Sequence, residues 1–488
     1  MLFRLRAHCA LPFALALILA GCSDGPADVA APQVSEQDRA FGAEQHPRLL
    51  AEFGGTYGGE ESGYVAAIGE RMAAAAGLGG QCRFTLVNSD VVNAFAVPGC
   101  YIYVTRGLFA VVTSEAELAS VLGHEVGHIV ASHSQRQQRR SLWRRLGVIA
   151  VGLTGSDRLT RLAGQAAQYF TLRYSRAQEY DADDLGVRYL QSAGYDVHAA
   201  ADMLGALGRQ QRFLMTTNGR DEARSIPEWT LSHPLTERRI ERARSTAAAT
   251  GLADDALPER AEAFLREADG LLYGDDPEQG FVSGRQFAHP VMRIYFAAPE
   301  GFSLTNSPQA IRLSGPNGVA GEFGGGTLPT GGIGSYAELL ARHVVGKGQA
   351  EVVAADRATI NGLPAAVLQL RLAVQNGAVP LVIAAYDGGN GQAYHFIMAS
   401  PPANASAAAL QQLFGSFRRL SAAEAAQLKP RVLRTVRVAA NDTVDTLAAR
   451  MADPAPRALF LMLNGRSPEQ PLRAGELVKL VTLAGPAR

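Results

Sequence analysis

His124-Glu125-Val126-Gly127-His128 constrains this 488-residue chain more than any other stretch. On a helix, two histidines four residues apart share one face, one turn above the other. Ser114-Glu115-Ala116-Glu117 reads as a capping box that starts that helix. Leu118, Val121, Leu122, Val126 and Ile129 then give it an apolar stripe to bury. The plain alternative, an exposed helix with two incidental histidines, does not account for that stripe. Two imidazoles so placed can share one Zn²⁺. Glu125, next in sequence to the first of them, flanks such a metal and can take a proton from water. With 10 His and 46 acidic residues in the chain, chance supplies at most about 0.02 such patterns.

A catalytic zinc needs three protein ligands and one open position. The pattern HExxHxxGxxH fails, because Ala131 and Ser134 stand at its Gly and His positions. His133 is one residue off and reads as a helix-end or solvent-facing histidine. Downstream, Glu179 and Asp183 are four apart in a segment of helical periodicity and so share a face. Glu179 can complete a His₂Glu site, and Asp183 can accept the spare N–H of a ligand histidine. The alternative is a charged helix face with an Arg176–Glu179 pair.

Five separate stretches now stand in order: Asn93 to Gly99, Tyr101 to Leu108, the HExxH helix, Ser175 to Asp183, and Ser232-His233-Pro234. Together they resemble the gluzincin peptidases of the CAAX-prenyl-protease and heat-shock membrane-protease family, over roughly residues 36 to 250. The nearest likeness is to the soluble periplasmic members that act in outer-membrane quality control. The resemblance implies a zinc metalloendopeptidase with one Zn²⁺ per chain on His124, His128 and Glu179, Glu125 as catalytic base, and Asp183 behind the ligands. It implies that Asn93, Ala94, Phe95 and Ala96 form an edge that pairs with substrate backbone, as in β-augmentation. It gives His233 a catalytic place, stabilising the oxyanion or capping the metal in a resting form; a loop histidine held by Pro234 is the alternative. Implied substrates are unfolded or misassembled envelope proteins, with the outer-membrane assembly machinery as a partner. Cys100 departs from the family pattern, which has a second glycine there.

The N-terminus speaks to location. Arg4 and Arg6 precede an apolar run from Ala10 to Ala20, too short to span a bilayer comfortably. Leu19-Ala20-Gly21-Cys22 resembles a bacterial lipobox, with cleavage before Cys22 and lipid on that residue. Ser23 then favours the outer membrane of a Gram-negative bacterium, leaving the protein lipid-anchored in the periplasm. Cys82 and Cys100 remain as an even pair for an oxidising compartment, bridged or as two separate thiols. Basic and acidic residues both number 46, so no nucleic-acid partner is expected. Arg136, Arg139, Arg140, Arg144 and Arg145 form a local cluster, either a solvated helix face or a contact with anionic membrane. No second segment reaches transmembrane length.

The fold class expected is α+β. Residues 1–21 read as signal peptide, 22–40 as tether and 41–273 as a mainly helical zinc-peptidase domain with a small β-hairpin edge. Residues 285–420 read as an α+β domain without a defensible catalytic motif. Strands are expected at Val291 to Ala297, Ala365 to Val374, Leu381 to Tyr386 and Tyr394 to Met398, and helices at Tyr336 to Val344 and Ser406 to Phe417. Asn441-Asp442-Thr443-Val444, Leu463-Asn464-Gly465 and Leu472 to Leu480 resemble a LysM module of strand, two helices and strand over 433–488, which implies peptidoglycan as a ligand. Asn441 stands where that module usually has glycine. A chaperone or assembly factor with a normally closed zinc site, held at the cell wall by this module, is the competing function.

Overall fold

The computed structural model describes residues 32–134, 174–217, 229, 232–346, 348–374, 377–400 and 406–485. The signal segment, Cys22 and the arginine cluster at 136–145 lie outside them.

The first unit opens with α1 (Glu36–Glu52) and α2 (Glu60–Ala75). Helix α1 begins inside the stretch read as tether, because Ser35 caps it by accepting from Asp38 N–H. Strands β1 (Arg83–Val87), β2 (Ala94–Val97) and β3 (Tyr101–Thr105) form a sheet in the order β1-β3-β2, with β3 parallel to β1 and antiparallel to β2. β2 is therefore an edge. Helices α3 (Arg106–Val111), α4 (Glu115–Val130), α5 (Arg176–Ala193), α6 (Ala199–Thr217), α7 (Glu237–Ala249) and α8 (Ala261–Glu267) complete the helical body. Helix α4 carries HExxH and is buried from Glu115 to His128. Its cap is only half of the expected box: Ser114 accepts from Glu117 N–H, but the Glu117 carboxylate accepts from Thr113 N–H at 2.6 Å.

Small residues let α4 and α5 cross closely. A Cβ added to Gly127 would lie 3.2 Å from the Ala182 carbonyl oxygen, and one added to Gly123 would lie 3.5 Å from Gly186 Cα. Helix α5 is held at its start by a Ser175/Gln178 capping box and ends at Gly194, which takes a left-handed φ of 75°. The crossing brings the first turn of α5 to the middle of α4.

After β4 (Leu272–Tyr273) the chain turns to β structure. Strands β5 (Phe281–Ser283), β6 (Gln286–His289) and β7 (Ile294–Ala297) belong to a four-stranded sheet. β8 (Ser303–Thr305), β9 (Ile311–Ser314), β10 (Ala320–Thr327), β11 (Ala350–Ile360), β12 (Leu363–Val374), β13 (Gly377–Gly389) and β14 (Gln392–Ala399) form an antiparallel seven-stranded sheet in the order β11-β12-β13-β14-β10-β9-β8. Helix α9 (Gly332–Val345) covers β12 and β13, and α10 (Ala407–Ser416) packs by β7. β15 (Arg418–Arg419) closes the four-stranded sheet beside β7. The strand expected from Val291 starts at Ile294, because Val291 and Met292 sit 59% and 47% exposed in a turn and Arg293 has a φ of 55°.

After α11 (Ala422–Gln427) come β16 (Arg431–Arg437), α12 (Val444–Ala448), α13 (Pro456–Leu463) and β17 (Leu477–Leu483). Thr443 caps α12, Asp442 accepts from Ala439 N–H, and Gly475 turns the chain before β17 with a φ of 90°. β16 pairs with β17 on one side and with β4 on the other. Leu433, Leu447, Leu459, Phe460 and Leu480 lie in the same core as Leu118, Leu122 and Val126 of α4. The C-terminal βααβ segment is thus built into the helical body. Buried Lys479 seals the joint, its Nζ donating to the carbonyls of Ala110, Val111 and Val112 at 2.7, 3.3 and 2.6 Å. These carbonyls close the C-terminal end of α3, where a cation is favoured.

Candidate metal centre and active site

One group of buried donors forms where α4, α5 and the segment before α7 meet. His124, His128, Glu179 and His233 each offer an atom, all within 4.8 Å of one another. His124 Nδ1 lies 2.9 Å from Asp183 Oδ1, so it gives its hydrogen to that carboxylate and turns a lone pair on Nε2 inward. His128 Nε2 lies 3.0 Å from that lone pair. Burial holds the His128 imidazole below its ordinary pKa, and His124 and His233 add to the effect. A divalent cation resolves this crowding of imidazoles, and two imidazoles with a carboxylate are a zinc donor set. The residues present fit the ion.

Glu179 lies against Arg239 and among the histidines. Burial alone would raise its pKa, but His233, Arg239 and His124 outweigh that and hold it below the usual carboxylate range. Arg239 Nη1 is 2.7 Å from Glu179 Oε2, and the same guanidinium bonds Asp183 at 2.9 and 2.8 Å. His233 Nδ1 is 3.0 Å from Glu179 Oε1 and 3.3 Å from His124 Nε2. Its other nitrogen is 3.5 Å from Glu125 Oε1. The Trp229 indole stacks on His233 with centroids 4.5 Å apart.

Glu125 is 1% exposed. Burial pushes its carboxyl up to about 7, against the pull of His124. It accepts from the Ala96 backbone N–H. Asn93 O accepts from Thr105 N–H, so the odd-numbered residues of this segment turn their backbone to β3 and Ala94 and Ala96 turn theirs outward, toward α4. The edge strand and the carboxylate of Glu125 therefore meet. The side chains of this segment are largely turned into the protein. Asn93 is fully buried, with neither side-chain polar atom hydrogen-bonded among the described residues. Ala94 and Ala96 are buried, and Phe95 packs between Phe53 and Tyr103. Cys82 and Cys100 are joined in a disulfide at the start of β1 and β3. A cavity of about 250 Å³ runs from His128 and Ile129 past Pro98-Gly99 to residues 32–35.

His133 needs correction. It is buried, not solvent-facing, and its Nδ1 is 2.9 Å from His128 Nδ1. Its Nε2 lies 3.5 Å from Asp181. His133, Arg239, Trp229 and Tyr174, whose ring stacks on His128 at 3.9 Å, were not marked as site residues by the sequence. A spacing of five from His128 to His133 is more than one helical turn, so only the bend after α4, where Ser132 takes a φ of 52°, turns the later ring back.

Residues 60–247 match peptidase family M48. Beta-barrel assembly-enhancing proteases of Yersinia pestis and Escherichia coli K12 are each 32% identical to this chain, over 197 and 199 residues. Each match covers 38% of this chain and 38% of the relative's own length. The mitochondrial metalloendopeptidase OMA1 of Arabidopsis thaliana is 37% identical over 124 residues, 25% of either chain. The similarity thus spans well under half of the length of these relatives. Among solved structures, cyanobacterial PsbP from Synechocystis sp. PCC 6803 is matched at 15% identity and a TM-score of 0.23, over 30% of this chain and 98% of that one.

Proposed function

We propose that the chain is a zinc-dependent metalloendopeptidase acting on misfolded or stalled envelope proteins. The observation that carries this reading is the convergence of His124, His128 and Glu179 with an unligated Glu125 beside an edge strand. Zinc held by those three residues would supply Lewis acidity to a peptide carbonyl and acidify water. Glu125, with a pKa near neutrality, takes a proton and later returns it to a leaving amine. Asp183 and Arg239 fix His124 and Glu179 in place. An extended peptide laid along β2 would find the outward backbone groups of Ala94 and Ala96, and Glu125 would release the Ala96 N–H to it.

The names of the bacterial relatives support an envelope setting and outer-membrane protein substrates. The lipobox-like Leu19 to Cys22 supports a lipid anchor at Cys22. No described helix is long and apolar enough to cross a membrane. The order of β16, α12, α13 and β17 supports a LysM-like module, with peptidoglycan as its ligand.

A second reading is favoured by His233. Its Nδ1 already stands among the donors, 3.0 Å from Glu179, which suits a resting form that works as a chaperone or assembly factor. Casein cleavage by the purified chain, with zinc measured on the same sample, separates the two. The peptidase reading expects one zinc at this centre and cleavage abolished by Glu125→Gln with that zinc retained. Zinc without cleavage, and cleavage gained in His233→Ala, would establish the closed form. Absence of zinc from His124, His128 and Glu179 would overturn both.

A further inference from the structure

We propose a second divalent-cation site, formed by Asp196, His198 and Asp254, that ties the loop between α5 and α6 to the loop after α7. Their donor atoms lie within 4.8 Å of one another, close enough for one ion to draw them together. Nothing in the HExxH chemistry uses them.

The arrangement is more than a patch of negative charge. Asp196 is 1% exposed, and its Oδ2 has no hydrogen-bond partner among the described residues. A buried carboxylate oxygen left without a donor is costly, and a cation is the partner that suits it. The other oxygen, Oδ1, accepts from His198 N–H at 3.2 Å and so fixes the direction of the carboxylate. The ring of His198 is fixed in the same way. Its Nε2 lies 3.2 Å from the Leu252 carbonyl oxygen, and a carbonyl only accepts, so Nε2 carries the hydrogen and Nδ1 presents the lone pair. Ligand histidines in metal sites are oriented by this kind of bond. Asp254 comes two residues after Leu252, so one loop orients the imidazole and supplies the exposed third donor. Asp196 N–H also reaches the Pro258 carbonyl at 3.4 Å, which keeps the two loops together.

The surroundings are acidic. Asp255 also acts on Asp196, while Glu117, Asp202 and Glu259 lie nearby, with Arg209 facing Asp202. One imidazole nitrogen with two carboxylates suits a first-row divalent cation such as Zn²⁺ or Mn²⁺ better than Ca²⁺ or Mg²⁺, which take oxygen donors. The exposed side of Asp254 leaves room for water to complete the coordination. An ion here would pin the C-terminal end of α5, the helix that carries Glu179 and Asp183 at its other end, to the segment that leads into α8.

The test is zinc stoichiometry and calorimetric titration with Zn²⁺ on the full chain, after chelation and dialysis. Two equivalents are expected in the unaltered protein. His198→Ala and Asp254→Asn should each weaken one of them at least about 100-fold, more than the loss of an outer partner does at its upper end. They should leave the other equivalent intact. His124→Ala should remove that other equivalent and spare the one at Asp196, so failure of the HExxH centre is seen separately. The second equivalent should also raise the melting temperature of the unaltered protein and not of Asp254→Asn, an exposed change that leaves packing alone. Retention of both equivalents in His198→Ala and Asp254→Asn would overturn the proposal, as would zinc binding that vanishes entirely with His124→Ala.

Discussion

A carboxylate walled in by protein stays charged only if something positive faces it. Glu179 and Asp183 have Arg239 and the histidines, and both are held below the usual range against the effect of burial. Glu125 has less, and burial takes it up to about 7. The consequence for stability has a definite sign. In metal-free protein the folded state binds the Glu125 proton more tightly than the unfolded chain, whose ordinary value is 4.5. Its contribution to stability is full below pH 4.5 and is lost as pH rises through about 7. Denaturation midpoints of chelated protein should therefore fall across that window, and Glu125→Gln should flatten the slope. Arg239→Met should strip two buried carboxylates of their guanidinium partner, which destabilises by about 3–5 kcal/mol. Urea titration at neutral pH reads that loss directly. The HExxH pair was legible because one helix fixes its spacing. Arg239 was not, since nothing in Glu237-Arg238-Arg239 tells which arginine turns inward until α7 is packed on α5.

Between elements, the crossing of α4 and α5 decides whether the donors meet. Gly127→Val should push against the Ala182 backbone and part the helices. Overpacking of this kind destabilises by about 1–3 kcal/mol, and zinc affinity at His124, His128 and Glu179 should fall with it, measurable by competition with a chelating dye. The disulfide acts on the other side of the centre, where it closes 18 residues between β1 and β3. Its removal in Cys82→Ser/Cys100→Ser should lower stability by roughly 3 kcal/mol, and a reducing agent should lower the melting temperature of the unaltered protein alone. Strand and helix signals were clear where one face is buried, as in β13 and α9. They failed for β11, an exposed edge strand whose Ala350 to Ile360 has little alternation to read. Strand β5 is likewise illegible, because three residues are too few to show a period.

At the scale of the whole molecule, the chain's resemblances divide it into successive modules, and packing reunites two of them. Leu433, Phe460 and Leu480 join the same core as Leu118 and Leu122 of α4, and Lys479 fastens the last strand to α3. Such long-range burial leaves no local signature, so the βααβ segment reads from sequence as a separate domain. Calorimetry should show the helical body and this segment melting together, with residues 285–420 free to melt apart. Lys479→Met should leave the three carbonyls without their shared donor, a loss of about 1–3 kcal/mol, and should lower that common transition first.

The pairing of β16 with both β4 and β17 also sets an order in time. A chain made from its N-terminus has its HExxH helix complete some 350 residues before Leu483 follows. Until β17 docks, the core that α4 shares with Leu480 and Val481 is incomplete. The proposed cleaving power would then arrive only with the last strand, and a prematurely terminated copy would be left unarmed.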